Sequence, residues 1–113
     1  MEFMEKLTEI QHLFGDLSTT IPEPTKAYMD LIEKVMKTGN IPVKYKELIF
    51  ISLSLVQKCD WCVAYHLRIA RDNGVTEDEL NEAAYIALLM GGTPALMESI
   101  KLKKYLDEIK SSS

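Results

Sequence analysis

The chain has 113 residues, 47% of them hydrophobic, and a formal net charge of −4 from 13 Lys and Arg against 17 Asp and Glu. That length suits one domain with a modest core, spanning 1–113, and the apolar content excludes a disordered chain. The acidic balance argues against nucleic-acid binding, because the densest basic group, Lys101, Lys103 and Lys104, reads as a solvated helix face. The longest apolar run, Leu48–Val56, is nine residues and too short to cross a bilayer. Met1–Lys6 lacks the basic and then apolar pattern of a signal peptide. A cytoplasmic protein without a membrane partner is therefore expected. In that reducing setting a Cys-x-x-Cys pair serves metal binding or redox chemistry more often than stapling.

Taken in order, the segments read as helices separated by punctuation. Phe3, Leu7, Ile10, Leu13 and Phe14 recur at three- and four-residue spacing and predict a first helix over Glu2–Phe14, stopped by Gly15. A second begins near Pro24, carries Ala27, Leu31, Ile32, Val35 and Met36 on one face, and ends before Gly39. Pro42 suits the first turn of a third helix reaching Val56. Asp60 is the expected N-cap of a fourth, which runs to Asn73 and stops at Gly74. Thr76-Glu77-Asp78-Glu79 spells a capping box for a fifth helix, Leu80–Met90. Gly91-Gly92 breaks it, and Thr93-Pro94 starts a sixth. The methionines fall at helical spacing and read as core filler. The three final serines read as a loose tail.

One segment admits another reading. Ile49–Leu55 alternates and contains β-branched and aromatic residues, so strand, Cys-x-x-Cys and helix would follow one another as in thioredoxin. No second convincing strand is available to pair with it. A helix buried on all sides within a bundle accounts for the same run. The expected class is all-α with about six helices.

The chemistry is concentrated in Cys59-Asp60-Trp61-Cys62-Val63-Ala64-Tyr65-His66, which holds both cysteines and one of two histidines. On a helix at 100° per residue, Cys62 lies about 60° and His66 about 20° from Cys59, so the three share a narrow face. Two thiols so placed can close a disulfide. At a helix start, unpaired N–H groups and the macrodipole favour the thiolate, while the charge of Asp60 opposes it. His66, one turn past Cys62, can move the thiol proton, and Glu47 can exchange protons with His66. Cys59, Cys62, His66 and Glu47 could instead hold zinc in a structural module, although ligand pairs usually come from separate elements. The cysteines could also be small buried apolar residues, or the protein a non-catalytic oligomeric helical scaffold in which the disulfide is incidental. Trp61 and Tyr65 are candidate walls of an apolar pocket. His12, without partner motifs, reads as a surface residue.

Glu47, eleven intervening residues, Cys59-x-x-Cys62, three residues and His66 together resemble the signature of the alkyl hydroperoxidase D-like group of the carboxymuconolactone decarboxylase superfamily. Ala83-Ala84 and Gly91-Gly92-Thr93-Pro94 resemble that group's downstream helix and break, so the likeness spans about residues 41–95. The resemblance implies an all-helical bundle that assembles as a homo-oligomer, a trimer or hexamer. It implies thiol-dependent antioxidant chemistry without a cofactor: peroxide reduction of a peroxiredoxin type, or disulfide reduction. Cys59 and Cys62 would cycle between dithiol and disulfide, Glu47 and His66 would relay protons, and an external dithiol would restore the pair. The substrate would be a small hydroperoxide or disulfide. The decarboxylase branch lacks the cysteine pair, which argues against lactone decarboxylation here. The group's peroxidase has a second histidine between the cysteines, where this chain has Trp61, so one acid–base group is missing. The spacing from Cys62 to His66 favours Cys62 as the attacking sulfur and Cys59 as the resolving one.

Overall fold

The computed structural model describes residues 1–112, with six helices and no strand among them: α1 Glu2–Thr20, α2 Pro22–Met36, α3 Val43–Gln57, α4 Asp60–Asp72, α5 Glu77–Gly91 and α6 Thr93–Ser111. Helix α3 packs against α4, α5 and α6, and α1 lies across α4 and α6 while pairing with α2. The core is built from Ile51 and Leu55 of α3, Val63, Leu67 and Ala70 of α4, Leu80 of α5 and Leu102, Tyr105 and Leu106 of α6. Phe3 and Leu7 add α1 to it. Ala83, Ala84 and Ala87 form the buried stripe of α5. Such small side chains let α3 and α5 approach closely, and Ser52 Oγ donates to Ala83 O across the contact at 2.9 Å.

The first helix is longer than its sequence spacing predicts. Gly15 lies inside α1, and the helix continues to Thr20 because the true breaker is Pro22. The residue before a proline is pushed out of the α region, and Ile21 sits at φ −142°, ψ 71°. Helix α2 accordingly starts at Pro22 rather than Pro24. Its C-terminal carbonyls are closed by Lys46, whose Nζ donates to Val35 O at 2.7 Å and Lys37 O at 2.8 Å. Phe3 N–H at the uncapped start of α1 finds Glu108 Oε2 of α6 at 2.7 Å, and Glu2 pairs with Lys104. These bonds fix the start of α1 against α6.

Ile49–Leu55 is helical, which removes the strand reading, yet it is not buried all round: Ile49 and Leu53 are about half exposed. The methionines are not core filler either. Met1, Met4, Met29, Met90 and Met97 are exposed, and the buried volume is filled instead by Leu, Ile and Ala. At the break, Gly91 is the last residue of α5, and a Cβ there would lie 2.8 Å from Ala95 Cβ and 3.1 Å from Val56 Cγ2. Gly92 adopts φ 77°, which glycine accepts at least cost. The expected capping box is present, with Glu79 N–H bonded to Thr76 Oγ1 and Thr76 N–H to Glu79 Oε1. Ser111 closes α6 rather than fraying, its Oγ donating to Asp107 O; Ser113 lies outside the described residues. Among the described residues no helix is long and apolar enough to cross a membrane.

Candidate redox site

The turn from α3 to α4 sets the geometry of the cysteines. Lys58 adopts the left-handed conformation, φ 55°, ψ 42°. Its N–H bonds Leu55 O at 3.2 Å and the Cys59 N–H bonds Ser54 O at 3.1 Å. Those two bonds are the 5→2 and 6→1 pair of a Schellman turn. The chain then leaves Cys59 extended, at φ −103°, ψ 101°, as the N-cap of α4. The expectation of Asp60 as N-cap is thereby corrected: Asp60 is the first helical residue, because the Cys59 sulfur itself accepts the Cys62 N–H at 3.2 Å. Only Cys62 and His66 lie within the helix, one turn apart on the same side.

Cys59 and Cys62 are joined in a disulfide, with Cα atoms 5.2 Å apart. A thiolate released at Cys59 would inherit the hydrogen bond from Cys62 N–H and the positive end of α4. The opposing charge of Asp60 is taken up by Lys101 of α6, whose Nζ lies 2.7 Å from Asp60 Oδ1 and 3.3 Å from Glu98 Oε2. The hydrogen bond to Asp60 holds the Lys101 ammonium above its ordinary pKa, against its partial desolvation.

Glu47, on α3, is completely buried, and its Oε2 lies 2.8 Å from His66 Nδ1. Its Oε1 has no hydrogen-bond partner among the described residues. A buried carboxyl group depends on the hydrogen bond it does make. Glu47 and His66 therefore act as one unit, and Nε2 is the ring nitrogen left for chemistry. The imidazole is further fixed by two residues. Phe50, one turn after Glu47, stacks parallel on it, with centroids 4.3 Å apart and planes 8° apart. Tyr65 meets it edge-on at 5.1 Å. Burial pushes the Tyr65 phenol above its ordinary pKa, and the Glu47 charge adds to that, so Tyr65 stays protonated.

Cys62, Tyr65, His66, Phe50 and Trp61 border an apolar cavity of about 730 Å³ beneath α1 and α2. Cys59 does not border it. Trp61 is 44% exposed, and Lys6 Nζ of α1 sits 4.2 Å from the centre of its ring. The structure thus brings together all four signature residues and both expected pocket residues. His12 is exposed and does not border the cavity. Sequence reading missed Phe50, although its place three residues after Glu47 puts it on the same face of α3. It also missed the far wall on α1 and α2, which surplus apolar residues on a helix with little to pack against would have signalled.

Among the described residues no three of His, Cys, Asp and Glu converge as ligands, and the two sulfurs are bonded to each other.

The sequence profile of the carboxymuconolactone decarboxylase family matches residues 22–104. The chain belongs to the carboxymuconolactone decarboxylase family. Similar family-sized chains include an uncharacterised protein of Cupriavidus necator, 32% identical over 106 residues and covering 94% of each chain. Uncharacterised protein 4 of the cox locus of Paracoccus denitrificans is 31% identical over 95 residues, covering 84% of this chain and 86% of its own. Among solved structures, the apo form of a carboxymuconolactone decarboxylase family protein from Legionella pneumophila superimposes with a TM-score of 0.89 at 26% identity, covering 95% and 96% of the two chains. A carboxymuconolactone decarboxylase family protein of Thermotoga maritima gives 0.82 at 29% identity, covering 98% and 92%; its description raises a possible involvement in antioxidative response. The all-α architecture is thus the family's own.

Proposed function

We propose that this family member is a thiol-dependent antioxidant oxidoreductase whose Cys59–Cys62 pair cycles between dithiol and disulfide. The observation that carries the reading is the Glu47–His66 contact of 2.8 Å, buried one helical turn from a disulfide at a helix start. In the reduced protein, His66 Nε2 takes the proton of Cys62. The Cys62 thiolate attacks the distal oxygen of a hydroperoxide, the O–O bond breaks, and an alcohol leaves with the proton returned through His66. Cys62 is then a sulfenic acid. The Cys59 thiolate attacks its sulfur, the S–S bond forms and water leaves. An external dithiol restores the pair by exchange through a mixed disulfide, with Cys59 as the stabilised leaving thiolate. The same last steps run with a disulfide substrate.

The assignment of Cys62 as attacking sulfur is supported by its place on the cavity beside His66. Trapping of the sulfenic acid in a Cys59→Ser variant is the expected result. Trapping only in Cys62→Ser would reverse the roles.

We also propose that the working form is a homo-oligomer, a trimer or hexamer, in the cytoplasm. Support comes from apolar faces without an intramolecular partner. On α5, Tyr85, Ile86, Leu89 and Met90 are 59–85% exposed, beside exposed Ile49 and Leu53 of α3. This outer face of α5 and α3 is the surface a second copy would cover.

A further inference from the structure

The chain has nine aromatic residues of the Phe, Trp and Tyr types. Five of them, Phe14, Tyr28, Phe50, Trp61 and Tyr65, border the one cavity that also exposes Cys62 and His66. Phe14 of α1 and Tyr28 of α2 form a parallel pair, centroids 5.6 Å apart and planes 9° apart, on the part of the wall that α1 and α2 contribute. Phe50 is parallel to the His66 ring. The cavity's 730 Å³ falls within the range of small-molecule sites and exceeds what hydrogen peroxide requires. A saturated chain would gain as much from aliphatic walls. A concentration of ring faces selects a flat π ligand, because offset stacking adds to apolar burial. A strongly charged ligand is disfavoured on walls with so little polar surface.

We infer that this cavity is a binding site for a planar, uncharged quinone, and that the Cys59–Cys62 dithiol reduces it to the hydroquinone. The inference rests on the redox reading above and adds a second electron acceptor to it. The Cys62 thiol yields its proton to His66, and its sulfur adds to the quinone ring. The proton passes from His66 Nε2 to the oxygen that gains charge. Cys59 then loses its proton to the same relay and attacks Cys62 Sγ. The S–S bond forms, the S–C bond breaks, and its electron pair stays with the ring. The second oxygen takes the second proton. One dithiol and one quinone thus become one disulfide and one hydroquinone, two electrons and two protons being transferred. An external dithiol regenerates the protein as before.

Tetramethyl-1,4-benzoquinone is the probe, because its substituted ring has no hydrogen to lose in permanent arylation. Binding is read first on the disulfide form. Trp61 is the sole tryptophan, so its fluorescence reports the cavity directly. Saturable quenching is expected, weakened at least fivefold in a Phe14→Leu/Tyr28→Leu variant. Linear, unsaturating quenching of the wild type would overturn the inference without any variant being needed. Turnover is read on the reduced protein under anaerobic conditions. The expected result is two thiols lost per hydroquinone formed, at least tenfold faster than with free dithiothreitol at equal thiolate. In the leucine variant the quinone rate should fall at least fivefold while oxidation by hydrogen peroxide holds. Equal slowing of both oxidants, or quinone inert while hydrogen peroxide closes the disulfide, would overturn this inference alone. Failure of every oxidant to close Cys59–Cys62 would overturn the redox reading with it.

Discussion

Glu47 and His66, nineteen residues apart on α3 and α4, are bound to each other at 2.8 Å, with the carboxylate wholly removed from solvent. Its second oxygen has no hydrogen-bond partner among the described residues. A protein selected for stability alone would not keep such a group. Replacing both members with apolar residues of similar shape, Glu47→Leu with His66→Phe, should therefore leave the fold as stable as the wild type or raise it by about 1–4 kcal/mol. Thiol turnover should fall by about 100-fold or more, the usual contribution of a general acid–base. Glu47→Leu alone strands the imidazole and should cost about 1–3 kcal/mol. Chemical denaturation of the two variants beside the wild type, with thiol oxidation rates on each, checks the opposed signs.

Two glycines should respond in opposite directions to the same change. Gly91→Ala drives a methyl into Ala95 and Val56 at the α5–α6 corner, and overpacking of that kind costs about 1–3 kcal/mol. Gly15 lies in the middle of α1, and an added methyl there would meet nothing within 4 Å, so Gly15→Ala should stabilise by about 0.5–1 kcal/mol. Urea midpoints of the two variants decide the matter.

Acid should loosen the start of α5. The Thr76 backbone N–H and the Lys44 ammonium hold the Glu79 carboxyl below the usual glutamate range. A lowered folded-state value means that this contribution is complete above the unfolded value, about 4.3, and is lost as pH falls through the folded one. Unfolding midpoints between pH 6 and 3 should decline less steeply in Glu79→Gln than in the wild type. Thr76→Ala should cost about 1 kcal/mol at neutral pH through the lost cap.

Self-association should depend on the outer face of α5. Light scattering of the wild type at micromolar concentration should give a trimer or hexamer. Leu89→Glu/Met90→Glu, at two of the most exposed apolar positions, should give smaller species with unchanged helicity. A monomeric wild type would contradict the proposal.

Much of this was legible in the residue order. The Thr76–Glu79 box, the Gly91-Gly92 break and the helical phase of Cys62 and His66 are local, and local rules find them. The Gly15 stop failed because a single glycine costs a helix only about 1 kcal/mol, which neighbouring packing overrides, whereas Pro22 both constrains Ile21 and lacks an N–H. Asp60 failed as N-cap because the turn before it, set by Lys58 in a left-handed conformation, hands that position to Cys59. The methionines failed because helical spacing shows a shared face but not which neighbour covers it. Phe50 on His66, Lys101 on Asp60 and the α1–α2 cavity wall join distant segments, and no local pattern encodes such contacts.

The central claim is tested most directly by titrating thiols in the reduced wild-type protein before and after one equivalent of an organic hydroperoxide. The expected result is the loss of two thiols per chain, a Cys59–Cys62 disulfide by mass, and recovery of both thiols on adding dihydrolipoamide. Two thiols that survive the hydroperoxide, or that are lost and not recovered, would contradict it.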